Sequence, residues 1–151
     1  MYDTAMKKLP IVWQRLIDSK GQTCDRCGST YEGLLQALEK LKKALRPLDI
    51  DPIVEIREID RDSFSKDPDQ SNRIWIAGKP IEEWLNAKVS SSPCCTVCGD
   101  SECRTIEIDN DVYEIIPPEL ILKATLLAAA QMVASTTQDS RKNPVSGCCP
   151  E

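Results

Sequence analysis

The sequence predicts one α/β domain, and three observations carry that reading. Short runs rich in β-branched and aromatic residues (PIVWQRLI, DIDPIVEIREID, RIWIAGKPI) punctuate the first half of the chain. Between the first two lies one segment with clear helical periodicity. A long apolar segment behind a Pro-Pro step closes the series. At 151 residues the chain can bury one sizeable core but not two. The domain is expected over residues 1–135, with a Cys-rich loop over 90–104 and a polar tail over 136–151.

The elements follow in order. Residues 10–17 form the first strand. After the turn-like SKGQT, Cys24-Asp25-Arg26-Cys27-Gly28 stands at the start of a helix that Thr23 is placed to cap. Leu34, Leu35, Leu38, Leu41 and Leu45 recur at helical spacing until Pro47 stops the run. In the second strand, Ile53, Glu55, Arg57 and Ile59 alternate with Val54, Ile56 and Glu58, and Pro52 is expected at its first residue, where a missing donor is tolerated. Residues 61–72 are polar and read as a loop with one helical turn near Phe64. RIWIAGKPI is a strand turning at Ala77-Gly78, and PIEEWL a short helix begun by Pro80. RTIEIDNDVYEII reads as a hairpin around Asp109-Asn110-Asp111. The last helix, ELILKATLLAAAQMVAS, is apolar around most of its circumference and is expected to be buried on more than one side. No solenoid-length repeat is visible, although Cys-x-x-Cys-Gly occurs twice.

Charge and composition exclude several functions. The net charge is −5, with 19 Lys and Arg against 24 Asp and Glu, so no basic face is available for a phosphate backbone and nucleic acid is not an expected partner. No apolar run reaches the ~18 residues that span a bilayer, and MYDTAMKKLP lacks the apolar core of a secretion signal. A soluble, cytoplasmic protein is expected. With no histidine in the chain there is no imidazole base for serine or cysteine hydrolysis, and no glycine-rich phosphate loop is present.

The chemistry resides in eight cysteines: Cys24 and Cys27; Cys94, Cys95, Cys98 and Cys103; Cys148 and Cys149. In a reducing cytoplasm such a set binds metal or exchanges thiols more often than it forms permanent disulfides. Three readings compete. In the first, Cys24 and Cys27 are a redox dithiol in a thioredoxin-like fold. A thiol at a helix N-terminus feels the positive end of the dipole, which stabilises its thiolate; Arg26 assists and Asp25 opposes. Cys24 would be the exposed nucleophile and Cys27 the resolving thiol. In the second, the two Cys-x-x-Cys-Gly elements are zinc knuckles, and the chain is a zinc-binding structural or interaction domain with no catalysis. The knuckles either share one four-thiolate site or leave a local site to Cys94 or Cys95 with Cys98 and Cys103. In the third, the vicinal pairs Cys94-Cys95 and Cys148-Cys149 deliver thiolates to a soft metal or metalloid ion, since adjacent cysteines form only strained disulfides. The expected partners are accordingly a thiol or disulfide protein or a soft ion, with zinc or another soft metal as the conceivable cofactor. A homodimer is expected if the last helix leaves an apolar face outside its own chain.

WQRL, TCDRCGSTYE, SNRIWIAGKPIEEWL, SPCCTVCGDSECRT and VYEIIPPELILKATLLAAA resemble segments of an uncharacterised family of short prokaryotic Cys-rich proteins that carry a domain of unknown function. The resemblance spans roughly residues 10 to 134 and implies a thioredoxin-like fold but no activity. The strand and Cys-x-x-Cys arrangement is similar, more remotely, to thioredoxins and glutaredoxins. Those place a cis-proline before the third strand, where this chain has Ser71-Asn72-Arg73. The ending SGCCPE is similar to the thiol tails of mercuric reductases and of the arsenical metallochaperone, which implies ion transfer through Cys148 and Cys149.

The remaining features read as structure. Trp13, Trp75 and Trp84 are expected in the core, and Glu82 and Glu83 in water. Asp60, Asp62, Asp67 and Asp69 form a solvated acidic loop without calcium-loop spacing.

Overall fold

The computed structural model describes residues 6–17, 25–60, 66, 70–93 and 102–140. Strands β1 (Lys7–Leu16) and β2 (Ile50–Ile59) are parallel and are joined by helix α1 (Asp25–Leu45) and a 3-10 turn at Arg46–Leu48. Strand β3 (Arg73–Ile76) lies antiparallel to β1 and pairs with the two-residue β4 (Lys79–Pro80), giving the order β2-β1-β3-β4. Helix α2 (Ile81–Leu85) leads to a second, antiparallel sheet of β5 (Lys88–Pro93), β6 (Glu102–Ile108) and β7 (Asp111–Tyr113). Helix α3 (Pro118–Ser140) ends the described chain. The fold is mixed α/β.

One face of the larger sheet makes the core. Leu9, Ile11 and Trp13 of β1, Ile50 of β2, and Ile74 and Ile76 of β3 alternate onto it and meet Leu34, Ala37, Leu41 and Leu45 of α1. Leu35, although it falls in the helical period, faces outward, and Ala37 takes the buried place. The small residue suits a helix that is approached closely. At Gly33 an added Cβ would stand 3.2 Å from Pro118 Cδ, so α1 and the entry to α3 touch at that point.

Both strand prolines have a backbone reason. Lys7 N donates to Asp49 O and Ile17 N to Ile59 O, which fixes the parity of the parallel ladder. The odd-numbered residues of β2 turn their amides and carbonyls to β1, and the even-numbered ones turn theirs outward. Pro52 is the third residue of β2 rather than the first; it costs no ladder bond because β2 is an edge strand and position 52 points away from β1. Strand β1 begins at Lys7, ahead of Pro10. That proline faces the β3 side just beyond the end of β3, where only its carbonyl is used, by the Ala77 amide at 2.8 Å.

The turn at Ala77-Gly78 has φ of 52° and 80°, the left-handed pair that a two-residue hairpin needs. Asp109, at φ 57°, closes the β6–β7 hairpin around Asp109-Asn110. Thr23 and Phe64 lie outside the described residues.

Four expectations are corrected. Helix α3 buries one stripe, Ile121, Ala124, Thr125, Ala128 and Ala129, and leaves Leu126, Leu127 and Val133 exposed. It also continues through Ser140, past the expected start of the tail. Trp75 and Trp84 are half-buried rather than core. Trp75 sits on the outer face of the sheet with the Arg73 and Arg57 guanidinium groups 4.7 and 5.8 Å from its ring centre, and Trp84 Nε1 donates to Ile76 O at 2.7 Å. Finally, residues 88–93 and 102–108 pair as strands, so the predicted loop over 90–104 is reduced to the connection at the end of a hairpin.

Candidate functional site

Helix α1 starts at Asp25, which puts Cys27 in its first turn and Cys24 in the residue just before it. Cys27 is buried, with only 1% of its surface exposed, and belongs to the core cluster. A residue three positions along a helix lies on nearly the same face. Thr30 is three positions from Cys27, is fully buried, and is the hub of a polar network.

That network ties α1 to the start of β3 and the approach to α3. Thr30 Oγ1 accepts from Asn72 Nδ2 at 3.1 Å and from the Ile116 amide at 3.2 Å. Asn72 Oδ1 in turn accepts from Trp13 Nε1 at 3.2 Å. Next to it, Gln14 Nε2 donates to Gln70 O at 2.7 Å, so consecutive β1 side chains hold the 70–72 segment. Asn72 has φ 52°, a conformation Asn tolerates better than most residues. The end of the polar stretch expected as a loop is thus buried at Ser71 and Asn72. Trp13 also stacks on Tyr31, with ring centres 4.7 Å apart and planes at 17°.

The second sheet meets this network. Arg104, Thr105 and Ile106 of β6 share a shallow crevice with Asn72, Tyr113, Glu114 and Ile116. Arg104 is buried and forms an ion pair with Glu82 Oε1. Glu82 was expected in water; it is drawn inside because α2 presents it to β6, while its neighbour Glu83 stays exposed. Arg73 lies 4.0 Å from the same carboxylate. Glu82 Oε2 and Arg73 Nε have no hydrogen-bond partner among the described residues. Two guanidinium groups therefore share one carboxylate beside the thiol-bearing end of the domain. Glu82→Gln is expected to cost about 2 kcal/mol, because a buried Arg104 would lose its charge partner. A shift in denaturation midpoint at constant slope would read this.

Cys103 lies in β6, opposite Ser92, and Pro93 pairs with Glu102. The connection carrying Cys94, Cys95 and Cys98 starts and ends at that last pair. Cys94, Cys95 and Cys98 themselves, like Cys24, Cys148 and Cys149, lie outside the described residues, as do Asp62, Asp67 and Asp69. Among the described residues no group of three or more Cys, Asp or Glu is close enough to hold a metal ion. The structure thus brings the Cys27 turn and the strand of Cys103 to one end, linked through Thr30, Asn72 and Arg104. A separate groove lined by Lys42, Lys43, Arg46 and Asp51 opens at the opposite end of α1, and no cysteine lines it.

Sequence reasoning missed Thr30, Asn72, Glu82 and Arg104. Signals existed for two of them. Thr30 shares a helix face with Cys27, and Arg104 shares a strand parity with the buried Ile106.

Among the described residues no helix is long and apolar enough to cross a membrane. No solved structure matches the chain. It is similar to an uncharacterised protein of Archaeoglobus fulgidus, 42% identical over 114 residues, which covers 76% of this chain and 82% of that protein. Residues 9–125 match the model of DUF2703, a domain of unknown function, and that span includes most of β1, the Cys27 turn, the polar network and the strands β5 to β7. The chain belongs to the DUF2703 family.

Proposed function

We propose that this chain is a thioredoxin-like dithiol protein that exchanges thiols and disulfides through Cys24 and Cys27. The observation that carries the reading is Cys27, buried in the first turn of the helix of a parallel β-α-β unit that is followed by an antiparallel strand turning at Gly78. In the forward direction the Cys24 thiolate attacks one sulfur of a substrate disulfide and expels the other as a thiolate. The Cys27 thiolate then attacks Cys24 Sγ and releases the second substrate thiol. Two electrons pass to the substrate and the protein is left with a Cys24–Cys27 disulfide.

The Cys-x-x-Cys separation suits this closure, since only two residues intervene between the thiols that must bring their Cβ atoms to about 3.5–4.5 Å. Burial of Cys27 suits a resolving thiol, which meets only Cys24 and never the bulk substrate. Leading into β3, where thioredoxins carry a cis-proline, this chain has Ser71-Asn72-Arg73, and the Asn72 side chain is committed to Thr30 and Trp13. A substrate range narrower than that of a general disulfide reductase follows. The cell's reducing cytoplasm is the compartment in which such a dithiol turns over.

A second reading concerns Cys94, Cys95, Cys98 and Cys103. The Pro93–Glu102 pairing favours a local site for zinc or another soft ion, because both ends of the connection start from one strand pair. Cys148 and Cys149 would then pass a soft metal or metalloid ion toward it. The test is elemental analysis and a thiol count on protein purified anaerobically without chelator. The dithiol reading expects Cys24 and Cys27 both titratable and oxidised by one equivalent of a disulfide. One bound zinc with four protected thiols including Cys24 and Cys27 would contradict it, whereas protection confined to 94–103 would leave both readings standing together.

A further inference from the structure

We propose that two copies of this chain pair antiparallel through the outer edge of β2, with Ile56 on the two-fold axis. The inference is independent of the thiol chemistry. Among the described residues strand β2 pairs with β1 along one side only, and its even-numbered residues turn their amides and carbonyls outward. An unpaired strand edge is a template for another strand unless the sequence blocks it. Here the block is partial: Pro52 removes one outward donor, and Val54, Ile56 and Glu58 retain theirs.

Charge selects one register. With Ile56 opposite itself, Val54, Ile56 and Glu58 of each copy exchange backbone bonds with Glu58, Ile56 and Val54 of the other. The alternating positions then set Glu55 against Arg57 and Arg57 against Glu55, flanked by Ile53 against Ile59. These are the non-hydrogen-bonded pairs, in which cross-strand side chains approach most closely. Centring on residue 55 would oppose two glutamates, and centring on 57 two arginines. Centring on 54 would place Pro52 opposite Ile56 and forfeit its donor. In the chosen register Pro52 faces Asp60, beyond the end of β2, and costs nothing.

The side chains are available for this. Glu55 and Arg57 are exposed and already lie 2.8 Å apart within one chain, so the paired edge would hold four charges of alternating sign. Ile53 and Ile56 are 37% and 43% exposed, and each would gain an apolar cross-strand neighbour. The exposed Leu126, Leu127 and Val133 of α3 have no comparable charge complement, and α3 packs on α1, α2 and β3 rather than on β2.

The test is mass by light scattering or sedimentation at ~100 μM chain. Wild type is expected at twice the 16.9 kDa of one chain. Glu55→Arg and Arg57→Glu should each give the single-chain mass, because each sets like charges across the axis. An equimolar mixture of these two variants should recover the double mass: like charges persist within each chain, while opposite ones meet between chains. Ile56→Pro removes only an outward donor and should also give the single-chain mass. Far-UV circular dichroism checks that each variant folds, and the charge variants keep the test decisive if Ile56→Pro does not. A wild type of single-chain mass overturns the proposal. So does a dimer that survives both charge reversals, or one that Leu126→Lys dissociates while the β2 variants leave it intact.

Discussion

Cys24→Ser is expected to reduce exchange with a disulfide substrate to the uncatalysed background, and Cys27→Ser to stop at a trapped mixed disulfide on Cys24. The asymmetry follows from the two steps. Without the Cys24 thiolate no attack begins, because a serine hydroxyl is not a nucleophile toward sulfur under these conditions. Without Cys27 the first step proceeds and the second has no internal thiol. Cys27→Ser also places a hydroxyl in the apolar cluster around α1, a change expected to cost about 1–3 kcal/mol unless the hydroxyl finds an acceptor. Mass spectrometry of the intact protein after exposure to a small disulfide distinguishes the two variants. A Cys24→Ser protein that retains full exchange would show that the chemistry resides on other cysteines.

The largest structural effect is expected from Trp13→Ala. Trp13 is 1% exposed, stacks on Tyr31 and donates to Asn72 Oδ1. Removing a buried tryptophan costs about 3–5 kcal/mol through lost transfer energy and the cavity left behind. The orphaned Asn72 acceptor adds to this, so a large share of the stability of a domain this size is at stake. Trp13→Phe keeps one stacked ring but loses the donor and part of the buried ring volume, so an intermediate loss of about 2–3 kcal/mol is expected. Denaturant titration of both variants ranks them. Since Asn72 also holds Thr30, the alanine variant should loosen the first turn of α1 and raise the accessibility of Cys27 to thiol reagents more than its stability loss alone explains.

The sequence made the periodic parts legible. Leu34, Leu41 and Leu45 define α1 because burial against a sheet imposes the helical repeat on the sequence itself. Ala77-Gly78 announces its hairpin for a similarly local reason, since left-handed φ values restrict residue type. Strand β5 was not legible. KVSSSP has little β propensity, and its extended form comes from pairing with β6, nine or more residues away. Glu82 was misjudged for the same kind of reason: nothing within PIEEWL distinguishes it from Glu83, and only Arg104, 22 residues on, makes its burial tolerable. The exposure of Leu126 and Leu127 is not legible because overall apolarity does not show which side of a helix has a partner.

At the proposed thiol site, the place of Cys27 near the start of α1 could be read directly, whereas the polar network beside it could not. Thr30, Asn72 and Trp13 come from three separate elements, and only the packing of β1, α1 and β3 brings their polar atoms within reach of one another. The Arg73–Glu82–Arg104 group likewise depends on how the second sheet docks on the first.

The most direct test of the dithiol claim is peptide mapping of the protein after titration with an oxidised dithiol, with alkylation of the remaining thiols. The account predicts that the first disulfide formed joins Cys24 to Cys27, that it is reversed by a dithiol reductant, and that it appears before any bond among Cys94, Cys95, Cys98 and Cys103. A Cys27 that stays reduced and unalkylated in the folded protein while other cysteines oxidise would contradict it.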